Sequence, residues 1–158
     1  MKLVVSGSRD FEESNDHYAK LFIEATLTGL LVRAMTGPPR VDLGWFSLYE
    51  GGCPTGADRI AREWLTAQSV TNLGIALPDG WIVAGRTFRP EWNKFGRPGA
   101  NHIRDREMMD ALQEGDPKER RLVIAFVNKP KEESVGTNNF IELAHDEGVP
   151  YLVTRYYK

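Results

Sequence analysis

Leu122-Val123-Ile124-Ala125-Phe126-Val127 is an unbroken apolar run without a charge. A strand with one wet face alternates apolar and polar residues, so a continuous run predicts a strand buried on both faces, as inside a parallel sheet. Working outward, the punctuation of such a sheet repeats. Lys2 to Ser6 is a second short apolar run, closed by Gly7. Trp45 to Glu50 is aromatic-rich and closes at Gly51-Gly52. Trp81 to Phe88 and Val149 to Thr154 complete five predicted strands. Helical patterns fall between them. Ser14 is placed as the N-cap of a helix whose core face is Tyr18, Leu21, Phe22 and Ala25, at i, i+3, i+4 and i+7, stopping before Gly37-Pro38-Pro39. Thr55-x-x-Asp58 fits a capping box opening a helix through about Ala67. Arg97 to Gly99 reads as a loop, and Asn101 to Leu112 as a helix with Ile103, Met108 and Leu112 turned inward. Thr137 to Glu147 is the last helix. Gly37–Gly44 and Asn128–Val135 read as loops. The β-α-β alternation predicts a Rossmann-like, doubly wound, mostly parallel sheet flanked by helices, a three-layer α/β/α fold.

Composition narrows the function classes. The chain has 158 residues, which predicts one domain over 1–158. Its formal charge of −2 argues against a generally basic nucleic-acid coat or a polybasic membrane binder. Cys53 is the one cysteine, so no internal disulfide framework and no multi-cysteine zinc site is available; this residue usage suits a reducing cytoplasm. His17, His102 and His145 match no metal-ligand spacing, and no metal is expected. The first apolar run is too short for a signal peptide, and Glu24 and Arg33 interrupt the stretch from Leu21 to Met35, so no membrane partner is expected.

In open α/β sheets, ligands bind beyond the carboxyl ends of the strands. Gly7-Ser8-Arg9-Asp10, Gly51-Gly52-Cys53-Pro54-Thr55-Gly56-Ala57-Asp58 and Gly136-Thr137-Asn138 all fall at such ends. Glycines admit close backbone approach, and helix N-termini offer unpaired N–H groups, so three converging turns would make a phosphate cradle. The second turn is neither a Walker A loop nor a dinucleotide fingerprint. Asn101 and Arg104 share a helix face that can reach the cradle, and arginine offers a bidentate fork. Arg106 points away from Arg104 on a regular helix. Other residues have plain readings beside functional ones. Cys53 is a small turn residue or a reactive thiol. Trp64 is core, and Trp81 packs under a loop. Trp92 packs there too or stacks on a base. His102 and His145 are surface residues.

Gly7-Ser8-Arg9-Asp10-Phe11, Gly51-Gly52-x-x-x-Gly56-Ala57-Asp58-x-x-Ala61-x-x-Trp64, Ile103-Arg104-Asp105-Arg106-Glu107-Met108-Met109 and Gly136-Thr137, in this order over nearly the whole chain, closely resemble the small YspA-like branch of the SLOG superfamily. This branch occurs in bacteria and their phages. The superfamily includes the Smf/DprA DNA-processing proteins and the lonely-guy phosphoribohydrolases. The resemblance implies a nucleotide-derived ligand such as ADP-ribose, an NAD-related molecule or a nucleoside monophosphate. It places Gly7, Ser8 and Arg9 in the first loop, Gly51, Gly52, Gly56 and Asp58 in the second, Arg104 and Glu107 on the facing helix, and Gly136 and Thr137 on phosphate. Relatives commonly form homodimers. Lonely-guy enzymes carry a catalytic glutamate two residues after the threonine, where this chain has Asn139; an amide cannot ionise to support an oxocarbenium-like transition state.

Three functions compete at this point. The leading expectation is nucleotide-ligand binding as a sensor or accessory factor, through Gly7, Ser8, Arg9, Gly51, Gly52, Thr55, Gly56, Asp58, Asn101, Arg104, Gly136, Thr137 and Asn138. The second is N-glycosidic hydrolysis of a nucleoside monophosphate, with Glu107 and Arg104 as catalytic candidates and Asp10 and Asp58 as further carboxylates. The third is DNA binding through Arg33, Arg40, Arg86, Arg89, Lys94 and Arg97 with Trp92 and Phe95 as stacking groups; the net charge favours reading these as scattered solvated side chains.

Overall fold

The structure is a computed structural model that describes residues 1–11, 17–36, 44–69, 77–130 and 133–156. Strands β1 (Lys2–Gly7), β2 (Trp45–Glu50), β3 (Ile82–Thr87), β4 (Arg121–Val127) and β5 (Tyr151–Arg155) form one all-parallel sheet in the order β3-β2-β1-β4-β5. Between them run α1 (His17–Thr36), α2 (Gly56–Ser69), α3 (Trp92–Phe95), α4 (Arg97–Gln113) and α5 (Val135–Asp146). A 3₁₀ turn, Arg9–Phe11, follows β1. The expected α/β/α architecture is present, and the strand order reverses between β1 and β4. That reversal opens a crevice at the carboxyl edge.

The central strands explain the layering. Successive side chains of a strand face opposite sides. Leu3 and Val5 of β1, with Phe46, Leu48, Ile124 and Phe126, meet α1 and α2 on one face. Val4 and Val123 meet Met108, Met109 and Leu112 of α4 and Phe140 of α5 on the other. Burying each large apolar side chain contributes roughly 1.5–3 kcal/mol, so both layers are anchored by a few residues per helix. Trp64 is buried on α2, meets Phe46 edge-on at 6.1 Å, and donates its indole N–H to Thr28 of α1 at 3.0 Å. Trp81 packs against the same core.

Several local expectations change. The buried row of α1 is Ala19, Ile23, Leu27 and Leu31, whereas Tyr18 is 73% exposed and Leu21 and Ala25 are exposed, with Phe22 half-buried. The helix carries apolar residues on two faces, and only the i, i+4 row persists along its whole length against the sheet. Helix α4 begins at Arg97, not Asn101, because a proline such as Pro98 is tolerated in a first turn. Met108 and Leu112 do turn inward, but Ile103 is exposed. Helix α5 begins at Val135, two residues before Thr137. Ser14, Arg40 and most of the Gly37–Gly44 segment lie outside the described residues. Among the described residues, no helix is long and apolar enough to cross a membrane, and no cluster of candidate ligands could hold a metal ion.

Candidate functional site

At the strand-order reversal lies a crevice of about 310 Å³. The turn after β1 supplies Gly7, Ser8, Arg9 and Asp10. Ser8 is buried: its N–H reaches Phe126 O (3.0 Å), its carbonyl accepts the Ala57 N–H (3.2 Å), and its hydroxyl accepts the Asn128 N–H (3.4 Å). These bonds tie the first turn to both β4 and α2. Arg9 is exposed on the rim and makes no ion pair among the described residues. Asp10 pairs with Lys129, just past β4, at 2.5 Å.

Helix α5 brings Gly136 and Thr137 to the opposite wall. Its first helical hydrogen bond runs from the Asn138 N–H to Ser134 O (2.9 Å), so the amides of Val135, Gly136 and Thr137 precede the helical ladder. Among the described residues no side chain caps this end, and the first turn holds no acidic residue. Ser134 lines the crevice, is more than nine-tenths buried, and its Oγ has no hydrogen-bond partner among the described residues. A cradle of backbone N–H groups at a helix N-terminus favours an anion electrostatically. A Cβ added to Gly136 would meet nothing within 4 Å, so the helix backbone faces open space there.

The third wall comes from α2 and α4. Asp58, Asn101 and Arg104 line the crevice, as does Cys53, which lies 3.8 Å from Thr55 Oγ1 through its sulfur. Asp58 is buried and accepts the Cys53 N–H at 3.2 Å, so its carboxylate does not close the expected capping box on Thr55. Burial, with the neighbouring Glu50 charge, pushes its pKa up to about 6 against the pull of that N–H and of Arg104. Glu50 is buried too. It accepts the Gly52 N–H (2.7 Å) and the Arg62 guanidinium (2.9 Å), and takes a short hydrogen bond from Thr87. Arg104 does not present a bare fork. Its Nε and Nη2 both donate to Asp105 Oδ1 (3.0 and 2.7 Å), and Nη1 donates to Gly51 O (3.3 Å). Burial raises the Asp105 pKa while the Arg104 charge opposes it. Arg106 turns away and pairs with Glu147, as helix geometry requires.

Of the expected ligand residues, Gly7, Ser8, Arg9, Asp58, Asn101, Arg104, Gly136 and Thr137 line one crevice. Gly51, Gly52, Thr55, Gly56 and Asn138 do not. The glycines instead admit protein neighbours. A Cβ at Gly51 would sit 3.1 Å from the Arg104 guanidinium, and one at Gly52 would sit 2.8 Å from Arg89 Cγ, towards the end of β3. At Gly56 it would stand 2.2 Å from Ser8 O. Gly7 itself makes room for Ala57 and the Phe126 carbonyl. Glu107 is exposed and lines a neighbouring cleft rather than the crevice, and Asn139 is exposed outside it. The proposed basic surface also divides. Arg33 lines a cavity at the amino edge of the sheet, whereas Arg89 and Lys94 line the cleft beside α4, and Arg86 stacks over Phe88 at 4.4 Å. Sequence reasoning missed Lys129, Ser134 and the Glu50–Arg62 pair. Ser134 carried a usable signal, because serine is a preferred residue immediately before a helix.

A larger cavity of about 1160 Å³ lies at the amino edge, and Met1, Leu30, Pro150, Tyr151 and Leu152 form part of its wall. It lies opposite the edge where parallel sheets gather their binding loops, so the smaller crevice is the candidate site. Fold and crevice together define a parallel α/β domain with an anion-compatible switch point. Compared with known proteins, the chain matches no family model, no curated protein and no solved structure.

Proposed function

We propose that the chain binds the phosphate of a nucleotide-derived small molecule in the switch-point crevice and acts as a sensor or accessory factor. One observation carries this reading: among the described residues, a helix N-terminus with neither a side-chain cap nor a first-turn acid opens beside the buried Ser134 hydroxyl, which has no hydrogen-bond partner there. A phosphate oxygen accepts from both kinds of donor, and Arg9 adds a cation at the rim. The SLOG-like motifs support the nucleotide half of the proposal. Titration calorimetry with ADP-ribose and inorganic phosphate tests it, using Gly136→Asp as the control. The new side chain has space to fit. Its carboxylate would lie at the amides a phosphate needs, so binding should fall at least about tenfold. Fold stability should hold or rise by about 0.3–1 kcal/mol, because an acid at this end complements the helix dipole. Equal affinity in parent and variant would remove the site from this helix end.

A second reading, N-glycosidic hydrolysis, is favoured by Asp58, a crevice-lining carboxyl pushed to about 6 and therefore able to hold a proton near neutrality. It requires free base to appear on incubation with nucleoside monophosphates, and requires Asp58→Asn to stop that release.

A further inference from the structure

Helix α1 is apolar on two opposite faces. Ala19, Ile23, Leu27 and Leu31 are buried against the sheet. The opposite face carries a second stripe: Tyr18, Leu21, Ala25, Gly29 and Val32 are all exposed, Leu21 by 45% and Val32 by 39%. At about 100° per residue these five lie within about 40° of Ala25, and they span about 21 Å of helix. None carries a charge. A helix on the surface of a domain ordinarily turns a polar face outward.

Two properties of the stripe say what covers it. Its spacing is a palindrome: the steps from Tyr18 through Leu21, Ala25 and Gly29 to Val32 are three, four, four and three residues. A two-fold interface pairs a patch with the same patch reversed, so it requires this symmetry. Two antiparallel copies of α1 crossing at Ala25 set Tyr18 against Val32, Leu21 against Gly29, and Ala25 against itself. Each unlike pair joins a large residue to a smaller one. The second property is Gly29 itself. Its backbone is not in the positive-φ region, and a Cβ there would meet nothing within 4 Å among the described residues. Glycine weakens a helix interior relative to alanine, so its own chain gains nothing from it at this position. The recess it leaves accepts the Leu21 side chain of a second copy. The flanks tolerate burial as well. Beside α2, Lys20 pairs with Glu24 (3.8 Å) and Glu63 (3.5 Å), and Glu63 pairs with Arg59 (2.7 Å), so these charges are already compensated. Arg33 is exposed about 80° round the helix from Ala25, at the rim where interfaces carry their polar groups.

We propose that the outer face of α1 is the interface of a two-fold dimer of this chain, antiparallel about Ala25. A seam about 21 Å long on a helix about 10 Å wide buries far less than the roughly 800 Å² per partner of a standard interface, so the dimer is reversible and concentration-dependent.

Sedimentation equilibrium of the intact chain at rising concentration should show monomer passing into dimer. Gly29→Leu fills the recess and should weaken the dimer at least about tenfold. The same variant should melt higher than the parent as a dilute monomer, because leucine is the better helix former. Cross-linking reads the register in a Cys53→Ser background. Ala25→Cys should couple to itself in oxidised glutathione, since a disulfide needs its two Cα atoms within about 7 Å. Val32→Cys should not, its two copies lying about 21 Å apart, but should couple to Tyr18→Cys when the two are mixed. A monomer at every concentration overturns the proposal. So does a dimer that keeps its affinity in Gly29→Leu, or that cross-links through Val32→Cys alone and not through Ala25→Cys. A monomer that sediments with phosphatidylcholine vesicles, and ceases to do so in Leu21→Glu, overturns it in favour of a membrane surface. The phosphate reading stands or falls independently of these outcomes.

Discussion

The turns entering α2 and α5 share a place in the fold: each leaves a strand of the parallel sheet and opens a helix whose N-terminus lies at the carboxyl edge, with glycines in the turn before α2 (Gly51, Gly52) and one inside the first turn of α5 (Gly136). Their polar groups are arranged differently. Before α2, the donors meet acceptors within the protein: the Gly52 N–H on Glu50, the Cys53 N–H on Asp58, and the Ala57 N–H on the Ser8 carbonyl. At α5 the first turn carries no acid, and among the described residues no side chain caps it and the Ser134 hydroxyl is buried without a partner. The difference teaches that a glycine-rich turn ahead of a helix is not in itself a ligand cradle. An acidic residue in the first turn supplies from within what a bound anion would otherwise supply. Asp58 holds that position in α2, and α5 has none.

The largest expected effect breaks the α2 side of this contrast. Gly56 sits at φ +71°, and a Cβ there would stand 2.2 Å from Ser8 O and 2.6 Å from Arg9 Cα, both backbone atoms that cannot swing aside. Gly56→Ala should cost more than about 4 kcal/mol, the range of exceptional substitutions, or prevent folding. Gly136→Ala, into open space on a helix, should instead gain up to about 1 kcal/mol. Urea denaturation of both variants checks the pair. Similar values for the two glycines would mean that the close contact of α2 with the first turn is not required.

Next in size is the titration of Asp58. Its pKa is raised from 3.8 to about 6, chiefly by burial and then by the Glu50 charge. The folded state therefore binds more protons than the unfolded state between those values. The stabilising contribution of the protonated form is complete below 3.8 and is lost as pH rises through about 6. Across that window Asp58→Asn should become more stable relative to the parent by up to roughly 3 kcal/mol, and its amide oxygen can still accept the Cys53 N–H. Parallel stability–pH curves for the two proteins would show that the carboxyl does not feel its burial.

These contrasts also explain what was legible in the sequence. The sheet was, because uncharged runs such as Leu122 to Val127 have few alternatives to burial on both faces. Arg9, Asn101 and Arg104 were legible as neighbours because strand ends and helix periodicity place them. The core face of α1 was not, because Tyr18 and Leu21 match the period as well as Ala19 and Ile23, and only the sheet decides between them. The start of α4 was hidden by Arg97-Pro98-Gly99, a tripeptide that serves a loop and a first helical turn equally. The roles of Gly51, Gly52 and Gly56 were hidden for a different reason: what a missing side chain makes room for depends on residues distant in sequence, such as Arg104 and Arg89.

The smallest effect on stability is the sharpest test of the contrast, and it falls on Ser134. A buried hydroxyl without a partner is a cost to the folded state, since it gave up water and gained no bond in exchange. Removing it should therefore leave the ligand-free protein unchanged or stabilise it by up to about 1 kcal/mol. If the hydroxyl is retained to meet a phosphate, Ser134→Ala should at the same time weaken phosphate binding about tenfold, as loss of a hydrogen bond to a charged group does. Thermal unfolding with and without ligand reads both quantities from one sample: the variant should melt as high as the parent when free, and gain less when phosphate is added. A structural hydroxyl would give the opposite pattern, a lower melting point with an unchanged ligand-induced rise, and α5 would then resemble α2 in satisfying its own polar groups.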